Sequence, residues 1–167
     1  LERPVPVGLH AADRPLLAEM STIIWKHQVK APVWGLHLPE IEEEHRQDYA
    51  DLVADPQAKI WLAFYQDQPA GMMGYFPAEV APDNLLTQPD YGELSVAGTY
   101  PQYRRMGIGS ALTRQVFSHQ RESGYPICLT DWRSTNLLSA PFWLSMGFRP
   151  AMLRLVRRVD ARILWGR

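Results

Sequence analysis

Apolar residues recur first at helical spacing. Leu16, Met20, Ile23, Ile24 and His27 share one face of a helix that follows the cap candidate Asp13, and Ile41, His45, Tyr49, Leu52 and Val53 repeat the period. Two early helices are therefore predicted, separated by Ala31-Pro32-Val33-Trp34-Gly35. The pattern then shortens. Lys59–Tyr65 and Ala70–Phe76 are apolar runs around Gln66-Asp67-Gln68-Pro69, the signature of a hairpin, and a loop rich in Pro, Asp and Asn follows over 77–90. A strand is predicted over 91–99. Ile108, Ala111, Leu112 and Val116 then mark a helix that ends near Gly124. Tyr125–Thr130 reads as a strand, 136–146 as a helix and Ala151–Val159 as a closing strand. Helices, a hairpin, then strand, helix, strand, helix, strand is an α/β order with a mixed sheet.

Composition narrows the class of protein. The chain has 167 residues, 46% hydrophobic and 21% charged, enough for one substantial core and too short to expect two. No repeat, low-complexity tract or Gly/Ser linker interrupts it, so residues 1–167 read as a single domain; the start at Leu1 is compatible with membership of a longer chain. A net charge of −1 supplies no field that would favour nucleic acid or an anionic membrane. Apolar runs fall well short of the ~20 residues of a membrane span, and no secretory leader pattern opens the chain, so the expected location is cytoplasmic. The single cysteine, Cys128, excludes an internal disulfide and a cysteine zinc site. His10, His27, His37, His45 and His119 form no ligand cluster, and no metal is expected. His27 and His45 sit on apolar helix faces and read as packing residues.

The chemistry is concentrated in Tyr103-Arg104-Arg105-Met106-Gly107-Ile108-Gly109-Ser110, a basic, glycine-containing turn that runs into an amphipathic helix. Gly107 and Gly109 let backbone N–H groups approach a ligand, and the helix N-terminus adds unpaired donors and a positive dipole end. Phosphate or pyrophosphate is the ligand such a cradle suits. It is not a dinucleotide fingerprint, because Leu112 stands where the third glycine is needed. Nor is it a P-loop, because the segment has no lysine.

The spacing Arg104-x-x-Gly107-x-Gly109 resembles the acyl-coenzyme A loop of the GNAT superfamily of N-acetyltransferases, Gln/Arg-x-x-Gly-x-Gly/Ala between a central strand and a helix. A second segment, from Asn136 to Phe148, is similar to the same superfamily's Asn-x-x-Ala-x-x-Phe-Tyr-x-x-x-Gly-Phe. Asn136, Phe142, Gly147 and Phe148 fit it, while Ser139 replaces the alanine and Trp143 the tyrosine. The predicted element order matches over nearly the whole chain. The resemblance implies one domain with a mixed, mostly antiparallel sheet of six to seven strands, about four flanking helices and a splayed central strand pair. It implies transfer of an acetyl group from acetyl-coenzyme A to a primary amine, small-molecule or peptide, by direct attack in a ternary complex, and it leaves room for a homodimer. The rival reading is an acyl-coenzyme A-binding regulatory or structural module that has lost turnover.

Within that resemblance the cofactor falls to Ala97, Gly98 and Thr99 on the central strand, to Arg104, Arg105, Met106, Gly107, Ile108, Gly109 and Ser110 in the cradle, and to Asn136, Phe142 and Trp143 on the late helix. Gly98 fits a bulge or a close backbone approach. Asn136 reads either as a cofactor contact or as an N-cap. The N–H near Ala97 is the oxyanion donor. Glu93, eleven residues before Arg104, is the base candidate, able to take the ammonium proton directly or through water; otherwise it is a strand-end carboxylate or holds the substrate. Trp143 occupies the position often assigned to a general-acid tyrosine, and its indole N–H cannot surrender a proton at useful pH. Water, Ser139, Ser145 or a tyrosine from elsewhere is then left to serve the departing thiolate, unless coenzyme A, a tolerable leaving group as thiolate, needs no dedicated acid. Cys128, in an apolar strand, reads as core. Trp25, Trp34 and Tyr49 are placed on the acceptor side if the early helices cap the cleft, an aromatic wall suited to an amine with an apolar body.

Overall fold

The computed structural model describes the backbone of residues 5–8, then residues 13–33, 35, 38–80 and 89–155. The elements run β1 (Val5–Gly8), α1 (Arg14–Gln28), α2 (Pro39–Asp51), β2 (Lys59–Tyr65), β3 (Gln68–Pro77), β4 (Tyr91–Thr99), a 3-10 turn (Pro101–Tyr103), α3 (Ile108–Glu122), β5 (Ile127–Leu129) and α4 (Ser139–Ser145). Both early helices carry Pro in their first turn, where its missing N–H costs nothing. They pack as a hairpin whose far ends are tied by the Arg14–Asp51 ion pair.

The described strands form one sheet in the order β1-β2-β3-β4-β5. The first three pairings are antiparallel and β4–β5 is parallel, with α3 as the crossover that a parallel pair requires. The hairpin β2–β3 turns on two residues, Gln66 and Asp67, both at positive φ, and Gln68 and Pro69 already belong to β3. β1 has no counterpart in the sequence pattern. Four residues, Val-Pro-Val-Gly, are too few to show a period, and Pro6 fits only an edge.

The expectation of six to seven strands is not met among the described residues, which form five. Ala151–Leu155, expected to open a closing strand, is exposed and unpaired; 156–159, its continuation, lie outside the described residues. Alternation of Leu155 with Arg154 is a strand-like pattern, but a pattern becomes a strand only beside a free sheet edge that pairs with it.

Each face of the sheet has its own core. α3 and α4 cover Trp61, Met73, Tyr75 and Leu94 with Ile108, Leu112, Val116 and Trp143. α1 covers Ile60, Leu62, Met72 and Val96 with Leu17, Met20 and Ile23. Leu94 and Val96 lie two residues apart yet on opposite faces, because Ser95 is left unpaired between Leu94↔Tyr75 and Val96↔Gly74. This bulge falls at Ser95 rather than at Gly98. It resets the alternation of β4, so that Ala97 packs toward the α3 core while a side chain at Gly98 would point at Ile23 and Ile24 of α1.

Tyr75 shows how tight the α3 side is. Its ring lies edge-on to His119 at 5.5 Å and Tyr125 at 6.4 Å, its hydroxyl is buried without a hydrogen bond, and burial pushes the phenol up to about 12. The hydroxyl rests against Gly92, where any Cβ would collide with it. Gly92→Ala is expected to destabilise the fold by about 1–3 kcal/mol in urea unfolding, as overpacking of a filled core does. Tyr75→Phe, which removes only the unpartnered hydroxyl, is expected to be neutral or stabilising. The reverse order would show that the hydroxyl finds a partner and that this corner has slack.

Candidate active site

The cradle is built by a chain reversal after β4. Tyr103 N–H donates to Tyr100 O at 2.9 Å and Arg104 N–H to Pro101 O at 3.3 Å, closing the 3-10 turn. Arg104 Nε then reaches back to Thr99 O at 3.4 Å. Arg105 (φ 67°) and Gly107 (φ 83°) are both left-handed, so the chain turns sharply just ahead of α3. No side chain caps α3, whose first closed turn runs from Ala111 N–H to Gly107 O at 2.9 Å. The amides of its first turn are left for a ligand.

The two glycines have different reasons. Nothing lies within 4 Å of the position a Gly107 side chain would take, so it is φ and not space that favours glycine there, and the space is open for a ligand. A Gly109 side chain would meet the Phe142 ring at 3.2 Å. Gly109 therefore sets how closely α4 approaches α3. α4 is closed by Gly147 at φ 97°, after which Phe148 N–H donates to Trp143 O at 3.1 Å and the Phe148 ring returns to Trp143 at 5.4 Å. The Gly-Phe pair is thus a helix stop with its hydrophobic contact.

β4 and β5 pair only at Tyr91–Glu93 against Ile127–Leu129. Thr130 Oγ1 donates to Leu94 O at 2.9 Å, and from Ser95 to Thr99 the edge of β4 facing β5 has no strand beside it among the described residues. This is the expected splay. A cleft of about 940 Å³ opens along that edge, running between the α3 N-terminus, the 130–145 segment and the last turns of α1.

The residues expected to hold the cofactor meet there. Ala97, Gly98, Thr99, Arg104, Arg105, Gly107, Ile108, Gly109, Ser110, Asn136, Phe142 and Trp143 all line the cleft, and Met106, exposed at the turn's tip, does not. Glu93 lies one residue short of the lining. It pairs with Phe76, whose ring packs in the α1-side core, so the half-buried carboxylate is on the α1 face of β4. Trp25 and Tyr49 are half-buried on α1 and α2 outside the lining. Tyr49 packs into the α1-side core, and burial with the Asp48 charge pushes its phenol up to about 12. Trp34 lies outside the described residues. Burial, reinforced by the Glu93 charge, pushes the Cys128 thiol up to about 12, so it is no thiolate nucleophile at neutral pH.

Two cleft residues have other roles than the sequence suggested. Asn136 is both cap and lining residue, since its Oδ1 accepts from Leu138 N–H at 3.1 Å and Ser139 N–H at 3.2 Å. His27, read as a packing residue, lines the cleft and hydrogen-bonds the same oxygen at 3.1 Å. Its helical spacing with Ile23 and Ile24 concealed this, because these two also line the cleft. The only available signal was that a polar ring ended an apolar stripe.

Residues 22–148 match the model of the acetyltransferase (GNAT) family, and the chain belongs to that family. Solved structures share the fold. A point variant of BH1408 from Bacillus halodurans has a TM-score of 0.77 at 13% identity, over 93% of this chain and 99% of that one. AAC(6')-Iy, bound to the bisubstrate analogue CoA-S-monomethyl-acetylneamine, gives 0.71 at 13%, over 96% and 100%. The aminoglycoside 6'-N-acetyltransferase AAC(6')-IG from Acinetobacter haemolyticus gives 0.67 at 20%, over 93% and 99%. A comparison with curated proteins gives no match.

Trp143, at the family's tyrosine position, is 4% exposed and stacked edge-on to Phe142 at 4.8 Å. It belongs to the core as much as to the cleft. Trp143→Ala is expected to cost about 3–5 kcal/mol in chemical denaturation, the cost of a large buried void. A loss below about 1 kcal/mol would show that the indole is only a cleft lining.

Proposed function

We propose that the protein is an N-acetyltransferase that passes an acetyl group from acetyl-coenzyme A to a primary amine by direct attack in a ternary complex. The observation that carries the proposal is the junction of two features, the edge of β4 at Ser95–Thr99, which no described strand pairs with, and the start of α3 behind Arg104 and Arg105, which no side chain caps. A ligand that fits both must carry amide groups at one end and phosphates at the other. Acyl-coenzyme A has that layout, and it supplies an acyl group already activated as a thioester.

The residues divide the work. The amides of Gly107–Ser110 and the two arginines hold the diphosphate. The free β4 edge pairs with the pantetheine amides, and an N–H near Ala97 donates to the carbonyl oxygen where negative charge develops. Glu93, on the α1 face of β4, takes the ammonium proton of the acceptor through water, since it does not itself line the cleft. Trp143 holds the wall and moves no proton, so coenzyme A departs as the thiolate when the carbon–sulfur bond breaks and takes its proton from water. Acceptors of the kind named for the structural neighbours, small polyamines of the aminoglycoside class, are the first to try. Buried Trp143 favours a second reading, a module that binds acyl-coenzyme A without turnover; free thiol released faster when amine is added would exclude it.

Gly107 offers a clean test of the cradle. Asn and Asp both tolerate the left-handed conformation and differ chiefly in charge. Gly107→Asp is expected to weaken coenzyme A binding about tenfold or more relative to Gly107→Asn by calorimetry, a difference of about 1.4 kcal/mol. Equal affinity for the two would remove the diphosphate from this turn.

Glu93→Gln is expected to lower kcat/KM for the amine about a hundredfold at pH 7, with a smaller loss at high pH where more of the amine is already neutral. The sign follows from the role: a base is needed only while the amine carries its extra proton. Full activity at pH 7 would take Glu93 out of the mechanism.

A further inference from the structure

One hydrogen bond joins two residues that line the cleft from different elements. His27, in the last turn of α1, and Asn136, ahead of α4, are 109 positions apart and meet at 3.1 Å between Nε2 and Oδ1. The direction of this bond follows from the others. Oδ1 already accepts from two backbone amides, Leu138 and Ser139, which identifies it as the oxygen of the side-chain amide. An amide oxygen only accepts, so the hydrogen is on His27 Nε2.

With three donors on its oxygen, Asn136 has no acceptor capacity left to offer a ligand. What remains is Nδ2, with two N–H donors and no protein partner among the described residues, on a residue that lines the cleft. The cap alone would fix the oxygen from one side. His27 fixes it from the opposite wall, so the amide plane cannot turn to present oxygen to the cleft. The same stretch of α1 is seated on β4, since Ile24 and Ile23 lie 3.4 and 3.5 Å from where a Gly98 side chain would stand. The imidazole is thereby carried on a helix held against the cleft's floor.

We propose that His27 is a positioning residue: its Nε2–H clamps Asn136 Oδ1 across the cleft so that Asn136 Nδ2 is committed to donating to an oxygen acceptor on the pantetheine arm of acyl-coenzyme A. This rests on the acyl-coenzyme A reading of the cleft. It adds a residue of α1, outside both sequence motifs, to the cofactor-binding machinery.

The test is calorimetry of the full chain with two probes, coenzyme A and adenosine 3',5'-bisphosphate, which lacks the pantetheine arm. His27→Leu is expected to raise the Kd for coenzyme A about fivefold, the effect of one hydrogen bond, and to leave the bisphosphate unchanged. His27→Gln, whose side-chain NH2 can replace the Nε2–H donor, is expected to recover most of that loss. Asn136→Asp keeps the acceptor for His27 and the cap but has no N–H to offer, so it is expected to weaken coenzyme A with thermal stability retained, and His27→Leu added to it is expected to cost little more. Equal losses for both probes in His27→Leu, no rescue by Gln, or undiminished coenzyme A affinity in folded Asn136→Asp would each overturn the proposal. Wild-type protein that binds neither probe would instead overturn the acyl-coenzyme A reading itself. If His27→Leu does not fold, the Gln and Asp variants decide the matter between them.

Discussion

The site depends on backbone groups that the sheet leaves unpaired. β4 is a nine-residue strand beside a three-residue one, and after Glu93 its far edge has no neighbour among the described strands. Buried backbone amides and carbonyls must be satisfied by something, so an edge of this kind is either wet or waiting for an extended ligand. Thr130 covers only the first of these groups, at Leu94 O. The cleft follows from that mismatch in strand length, and the rest of the architecture holds its two sides apart.

Packing on the two faces makes the separation rigid. α3 seals one face with Ile108, Leu112 and Val116, all fully buried, and its first turn is delivered to the end of β4 by the reversal through Arg104. α4 is pressed onto α3 through the Gly109–Phe142 contact and locked by the Phe148 return. On the other face α1 lies across β4 at Gly98. The Ser95 bulge allows one strand to serve both cores, since without it Leu94 and Val96 would compete for the same face. A cofactor laid along β4 would touch α3, α4 and α1 together.

The electrostatic character of the site is equally local. Net charge says nothing about it, whereas two arginines and a helix start gather positive potential at one end of the cleft. Burial keeps Cys128, which lies outside the lining, protonated, and Trp143 stands in the cleft as a wall. Ser139 Oγ, on a residue that lines the cleft, is buried with no hydrogen-bond partner among the described residues.

Much was decided by the sequence alone. Helical spacing and apolar runs bounded by turn residues located α1 to α4 and β2 to β5 to within a few residues, and the glycine and arginine spacing located the cradle, because these signals are local: a helix face, a left-handed glycine and a helix start each need only neighbouring residues. Tertiary structure decided what depends on residues far apart in the chain. β1 exists because β2 offers an edge to a four-residue segment too short to show a period. The bulge sits at Ser95 because two opposite cores must both be filled, a demand invisible along β4 itself. His27 became a cleft residue only when α1 was laid across the sheet and brought its ring to Asn136. Glu93 lies on the α1 face because of its register with Phe76, which fixes its side of the sheet as no spacing to Arg104 can.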